Sequence, residues 1–145
     1  MEYVKSYRDL EVYKLSRQLS REIFEVSKQF PKDETYSLTD QVRRSSRSVG
    51  AQIAEASAKR KYEKHFISKL TDADGEQQET QHWIETAIDC SYISSKIAYT
   101  LLKNYSSVGK MLYSMINKAE AFCNRSPITD NWLPNNKNGN IQNTT

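Results

Sequence analysis

Thr39-Asp40-Gln41-Val42-Arg43-Arg44-Ser45-Ser46-Arg47-Ser48-Val49-Gly50-Ala51-Gln52-Ile53-Ala54-Glu55-Ala56 is the stretch on which the fold turns. Within it Val42, Ser46, Val49, Ile53 and Ala56 recur at steps of 4, 3, 4 and 3. That spacing keeps side chains on one face of a 3.6-residue helix. A second stripe, Gly50, Ala54 and Ala58 with Ser57 near it, is built of small side chains. Such a stripe lets another helix come close, so this segment predicts one face on a core and one on a close neighbour.

Upstream, Val12, Leu19, Ile23, Val26 and Phe30 recur at steps of 7, 4, 3 and 4, with Leu15 and Phe24 beside them. Pro31 ends this first helix, because proline cannot extend a helix and restricts the residue before it. Residues 31–37 form a connection, and Thr39 or Asp40 offers an N-cap for helix two. Downstream, Phe66, Leu70, Ala73, Gln77, Thr80, Ile84, Ala87 and Ile88 mark helix three, the most polar of the set. No Gly, Pro or good cap lies between Ala58 and Glu63, yet a bundle needs a reversal there. A break fits at Cys90-Ser91-Tyr92-Ile93, with Ser91 or Ser94 capping helix four. That helix carries the heptad Ile97, Leu101, Val108, Leu112, Met115, Ala119 and Phe122, and Asn104-Tyr105-Ser106-Ser107 inside it are poor helix formers that predict a kink.

Four amphipathic segments with short links describe an all-α, antiparallel up-down-up-down four-helix bundle over residues 1–125. From 126 to 145 the chain is Asn-rich without apolar periodicity and reads as a disordered tail. The length of 145 residues fits one domain, and the scarcity of Gly (4) and Pro (3) argues against a turn-rich β architecture. The N-terminus shows no apolar signal region, and no apolar run approaches the ~18 residues of a membrane span. Cys90 and Cys123 stand alone, as reduced thiols in a cytoplasmic protein would.

The net charge of +3 is small, but its distribution is uneven. Residues 1–64 hold 14 Lys/Arg against 10 Asp/Glu, residues 65–92 hold 1 against 6, and residues 93–145 hold 6 against 2. Complementary packing between helices and a basic surface for an anionic partner both account for this. Arg43 and Arg47 share a face at i,i+4, with Arg44 about 100° away. Lys59, Arg60, Lys61 and Lys64 follow at the far end of helix two. Together they make a candidate nucleic-acid strip, because phosphate contacts carry most non-specific affinity. The same arginines could instead pair with Asp72, Asp74, Glu76 and Glu79 of helix three.

Signals for catalysis are missing. There is no Gly-rich phosphate loop, no GxSxG elbow and no nucleophile with a histidine in a triad-like context. Glu79-Thr80-Gln81-His82 is half of a di-iron carboxylate signature, but the second half is absent, since Tyr62 precedes His65 at the matching offset. No metal, cofactor or enzyme activity is therefore expected. The nine tyrosines suit core rims and subunit contacts.

Phe30-Pro31, Glu34-Thr35-Tyr36-Ser37-Leu38 and Gln41-Val42-Arg43-Arg44 running on to Ile53-Ala54-Glu55-Ala56 resemble a known pattern. It is that of the bacterial four-helix-bundle family of open reading frames in intervening sequences of 23S rRNA genes. That family reads F-P-x-x-E-x-Y-G-L, then Q-I-R-R-A-A-x-S-I-x-x-N-I-A-E-G. Asp9-Leu10-Glu11-Val12-Tyr13, Ala73-Asp74-Gly75 with Glu79, and Tyr92-Ile93-Ser94 are similar to its further motifs, so the likeness spans about residues 7–123. The chain departs from it at Gln52, Ala56, Tyr62 and Glu76. The resemblance implies a bundle that often assembles as a homopentamer. A sister branch, the accessory variability protein of diversity-generating retroelements, implies a basic oligomer that binds nucleic acid and a reverse transcriptase. The resulting expectation is a non-enzymatic oligomeric module that binds RNA or DNA, with a protein–protein adaptor as the alternative.

Overall fold

The computed structural model describes residues 6–123. Four long helices carry it: α1 (Glu11–Ser27), α2 (Asp40–Ala58), α3 (Glu63–Asp89) and α4 (Ser95–Asn117), with a short α5 (Ala119–Cys123) closing one end. Each of α1–α4 packs on the next, and α4 returns to α1, so the helices form a four-membered ring around a common core. No strand occurs among the described residues. The Asn-rich stretch read as a disordered tail lies outside them.

The core is filled by the stripes that the spacing marks out. Leu19, Ile23, Val49, Ile53, Leu70, Val108 and Leu112 are essentially inaccessible. Polar groups accompany them in pairs. Ser45 and Thr80, both fully buried, hydrogen-bond to each other at 2.8 Å across the α2–α3 contact. Thr80 also donates to the Glu76 carbonyl, so neither hydroxyl is stranded. The small stripe of α2 meets α1: a Cβ on Gly50 would stand 3.4 Å from Ser16 Oγ and 3.6 Å from the Tyr13 ring.

Each connection has its own physical device. α1 ends at Ser27, a turn earlier than the apolar spacing predicts, and tightens through i→i−3 bonds from Lys28, Gln29 and Phe30 before Pro31. Neither Thr39 nor Asp40 caps α2. Thr39 is already helical and makes no side-chain cap bond. A wide helical turn, Thr35–Thr39, leads into α2, and Glu34 caps that turn by accepting from the Leu38 amide at 3.4 Å and the Ser37 hydroxyl at 2.7 Å. The Tyr92 hydroxyl donates to the other Glu34 oxygen at 2.9 Å, which ties this connection to the α3–α4 turn.

Between α2 and α3 the chain reverses over Lys59–Tyr62, closed by Tyr62 N–H to Lys59 O at 2.9 Å. Tyr62 is extended and supplies no side-chain cap. The reversal follows from a break in phase. Continuing the α2 stripe past Ala56 by three or four residues lands on Lys59, Arg60 and Glu63, whereas the next apolar face starts at Phe66.

α3 ends in a Schellman motif, with Tyr92 N–H on Ala87 O and Ser91 N–H on Ile88 O, both at 2.9 Å. Ser91 holds the left-handed position at φ 61°. Ser94, one of the two expected caps, accepts from Ile97 N–H at 3.2 Å. α4 runs without a break through Asn104–Ser107, and Tyr105 is fully buried. The buried heptad is Ala98, Leu101, Tyr105, Val108, Leu112, Met115 and Ala119, while Ile97 is 48% exposed. A tyrosine treated as a breaker thus fills the gap between Leu101 and Val108.

Candidate nucleic-acid interface

The three arginines of α2 diverge. Arg43 lies against the end of α1, where its Nε donates to Ser27 Oγ at 2.7 Å and its guanidinium carbon stands 4.6 Å from the Phe24 ring centre. It also reaches the Phe24 carbonyl at 3.5 Å, one of the acceptors that a helix C-terminus leaves open. Arg44 turns the other way and bridges to α3, with Glu76 at 3.3 Å and Glu79 at 2.6 Å. Arg47 is exposed, 5.4 Å from the Phe24 ring centre, and lines the groove between α1 and α2.

Glu79 also accepts from the Trp83 indole at 3.0 Å. That bond and the Arg44 guanidinium hold its carboxyl below the usual carboxylate range. Glu79 in turn pushes Arg44 up. A second bridge on the same seam joins Lys69 to Glu55 at 2.8 Å, with Asp72 at 3.9 Å. The α2–α3 contact is therefore bridged in both senses, by Arg44 of α2 with Glu76 and Glu79 of α3 and by Lys69 of α3 with Glu55 of α2, and Arg44 belongs to packing.

Lys59, Lys61 and Lys64 are exposed at the α2–α3 turn. Arg60 is half-buried beside an apolar recess formed by Tyr7, Ile53, Phe66 and Phe122. Arg47 and Lys59 are 12 residues apart on α2, about 18 Å along its axis. The seven expected residues therefore form no continuous strip. They divide into one tie to α1 (Arg43), one bridge to α3 (Arg44), one groove residue (Arg47) and a basic turn at the end of the bundle.

The structure adds cations that the sequence reading passed over. Arg8, just ahead of α1, and Lys14, Arg17 and Arg21 of α1 line a hollow beside Tyr13, and Arg17 and Arg21 share the groove with Arg47. The signal was available, because Lys14, Arg17 and Arg21 stand at steps of 3 and 4. On the opposite side of the ring, α3 lines the α3–α4 groove with Asp74, Gln77, Gln78, Gln81, His82 and Glu85, and α4 adds Lys110. His82 packs edge-on against Trp83 at 4.7 Å. Among the described residues no three His, Cys, Asp or Glu side chains come together as a metal-ligand set, and no helix is long and apolar enough to cross a membrane. Cys90 is exposed at the end of α3 and Cys123 is buried at the end of α5, both unbonded. Burial pushes the Cys123 thiol up to about 11.

A ring of four helices with a groove free of acids on one side and a mixed, amide-rich groove on the other defines a helical-bundle protein. Residues 8–114 match the model of the 23S rRNA-intervening sequence protein family, and the chain belongs to that family. It is similar to a solved structure from Bacteroides thetaiotaomicron, a protein with unknown function from the S23 ribosomal protein family. The two share 28% identity with a TM-score of 0.66, over 72% of this chain and 97% of the other. No curated protein matches the chain.

Proposed function

We propose that the protein is a non-enzymatic helical-bundle module that binds nucleic acid, RNA or DNA, through basic residues of α2 and of the α2–α3 turn. The observation that carries this reading is the turn itself, where Lys59, Lys61 and Lys64 project from one end of the bundle with Arg60 beside them. Lysines at an exposed turn present point charges to phosphates and carry no base-reading geometry, which fits sequence-independent binding. Arg43 and Arg44 support the surface indirectly by fixing α2 against α1 and α3. Gel-shift titration with mixed-sequence RNA and DNA tests the reading. Retention should fall steeply with salt as counterions are released, and Lys59→Gln, Lys61→Gln and Lys64→Gln together should weaken it. No retention of either nucleic acid at low salt would refute it.

A second reading, self-association or a protein adaptor, is favoured by α4. Tyr99 and Tyr113 are 70% and 67% exposed and stand two heptads apart, with Ser106 between them. Exposed tyrosines in one row are suited to a protein interface, where the ring is covered and the hydroxyl stays wet. The family resemblance makes a homopentamer the form to look for. Light scattering behind a sizing column decides it, and a monomer at all concentrations that carry nucleic acid would reject it.

A further inference from the structure

Ten residues of α1 and α2 enclose an open groove of about 390 Å³, and none of them is acidic. Arg17 and Arg21 stand on its α1 wall and Arg47 on its α2 wall. The adjoining hollow along α1 adds Arg8 and Lys14, of which Lys14 pairs with Glu11 at 3.7 Å. This concentration contrasts with the α2–α3 contact, where Arg44 of α2 and Lys69 of α3 are spent on glutamates. The floor is shallow because Ser16 faces Gly50 across the helix contact, so the backbones meet closely and the long arginines rise as walls. Tyr13 borders both hollows; its hydroxyl receives Arg17 Nη1 at 3.4 Å, and Tyr7 packs edge-on against its ring at 4.9 Å.

We infer that the α1–α2 groove is a phosphate-backbone site for single-stranded nucleic acid, with Arg17, Arg21 and Arg47 as its cationic contacts. The inference rests on the nucleic-acid reading above and moves its centre from the turn to the groove. Guanidinium groups fork onto phosphate oxygens in a way that lysines cannot. Arg17 and Arg21 are one helical turn apart, about 6 Å, so they reach successive points along an extended chain. The groove is open and carries cations on both walls, so a single extended strand lying along it can meet both walls at once. Aromatic rings beside a basic track are the usual companions of single-strand binding.

The test is fluorescence anisotropy on the full chain with a labelled mixed-sequence RNA strand of about 12 nucleotides. Titrations run between about 50 and 200 mM salt. Three proteins are compared: the unaltered chain, the groove variant Arg17→Gln/Arg21→Gln/Arg47→Gln, and the turn variant Lys59→Gln/Lys61→Gln/Lys64→Gln. The groove variant should bind at least about tenfold more weakly, with its salt slope reduced by about 2, since three lost contacts to a single strand each remove about 0.7. Arg17→Gln/Arg21→Gln alone changes only exposed side chains of α1 and should show most of the loss with an unchanged melting curve. Binding by the groove variant that equals the unaltered chain, with the loss confined to the turn variant, overturns the inference and leaves the wider reading standing. No binding by the unaltered chain removes both. Equal binding of a duplex of the same length, lost equally in the groove variant, overturns the single-strand assignment. Binding to phosphatidylserine vesicles without binding to RNA overturns it as well.

Discussion

Ser91 is the one non-glycine among the described residues with a positive φ, 61°, and it sits where a helix usually ends in glycine. The Schellman bonds need that left-handed residue, so the serine is tolerated at a steric cost of about 1 kcal/mol. Ser91→Gly should therefore raise stability by about 0.5–1 kcal/mol, and a denaturant series with an unchanged m-value checks it. Tyr105 makes the opposite point about a polar group in an apolar place. Its ring fills the α4 heptad, but its hydroxyl is buried and makes no hydrogen bond of good geometry, with the Ser46 side chain the polar group nearest to serving it. Burial raises its pKa, the expected consequence of a phenol withdrawn from water. Tyr105→Phe keeps the packing and removes the stranded group, so it should stabilise the protein by about 1 kcal/mol. A fall in the melting temperature instead would reveal a hidden partner for the hydroxyl.

Helices α3 and α4 approach closely at Gly109, where a Cβ would stand 2.8 Å from Gln77 Nε2 and 3.4 Å from Asp74 Oδ1. Gln77 cannot easily give way: it is 4% exposed, donates to Asp74 at 2.9 Å and accepts from Gln81 at 2.7 Å. Gly75, on the outer face of α3, has no neighbouring atom within 4 Å of the same position. Alanine is favoured over glycine in a helix by about 1 kcal/mol, so Gly75→Ala should gain about that much. Gly109→Ala should lose about 1 kcal/mol, because the clash with the Gln77 network outweighs the propensity. Equal shifts in urea unfolding would show that Gln77 is free to move. Sequence periodicity located α1, α2, α3 and the end of α4 because one face of each must be apolar. It misplaced what periodicity does not encode. The α2 start depends on a Glu34 carboxylate reaching forward four residues, and the path through Tyr105 depends on packing overriding weak helix propensity. The reversal at Lys59–Tyr62 was foreseen only as a need, since its cause is a phase break between two stripes and involves no turn residue.

At the scale of the whole bundle, charge is partitioned by seam. Basic residues line the α1–α2 side, acids and amides with Lys110 line the α3–α4 side, and the α2–α3 contact between them is neutralised by Arg44 with Glu76 and Glu79 and by Lys69 with Glu55. The sequence showed the segmental imbalance but not which arginine served which purpose. Arg43, Arg44 and Arg47 are within five residues, and only their angular positions send one to α1, one to α3 and one to the groove. The neutralised seam also makes acid stability predictable. Glu79 titrates lower in the fold than in the unfolded chain, through its bond from Trp83 and then its pairing with Arg44. A carboxyl with a depressed folded value favours the fold above its unfolded value, and that contribution fades as pH falls through the folded one. Stability should therefore decline below about pH 4.5, the window in which unfolded glutamates take up protons. The side chains of Arg44 and Glu79 are 46% and 35% exposed, so solvent screening limits the pair to about 0.5 kcal/mol. Arg44→Met removes the ion pair but leaves the Trp83 bond, and should flatten the decline without abolishing it. Thermal melts of both proteins at neutral pH and at about pH 3 measure this directly. If the two lose the same number of degrees, the Arg44 bridge contributes nothing to holding α2 on α3 and the seam rests on packing, the Ser45–Thr80 bond and the Lys69–Glu55 bridge.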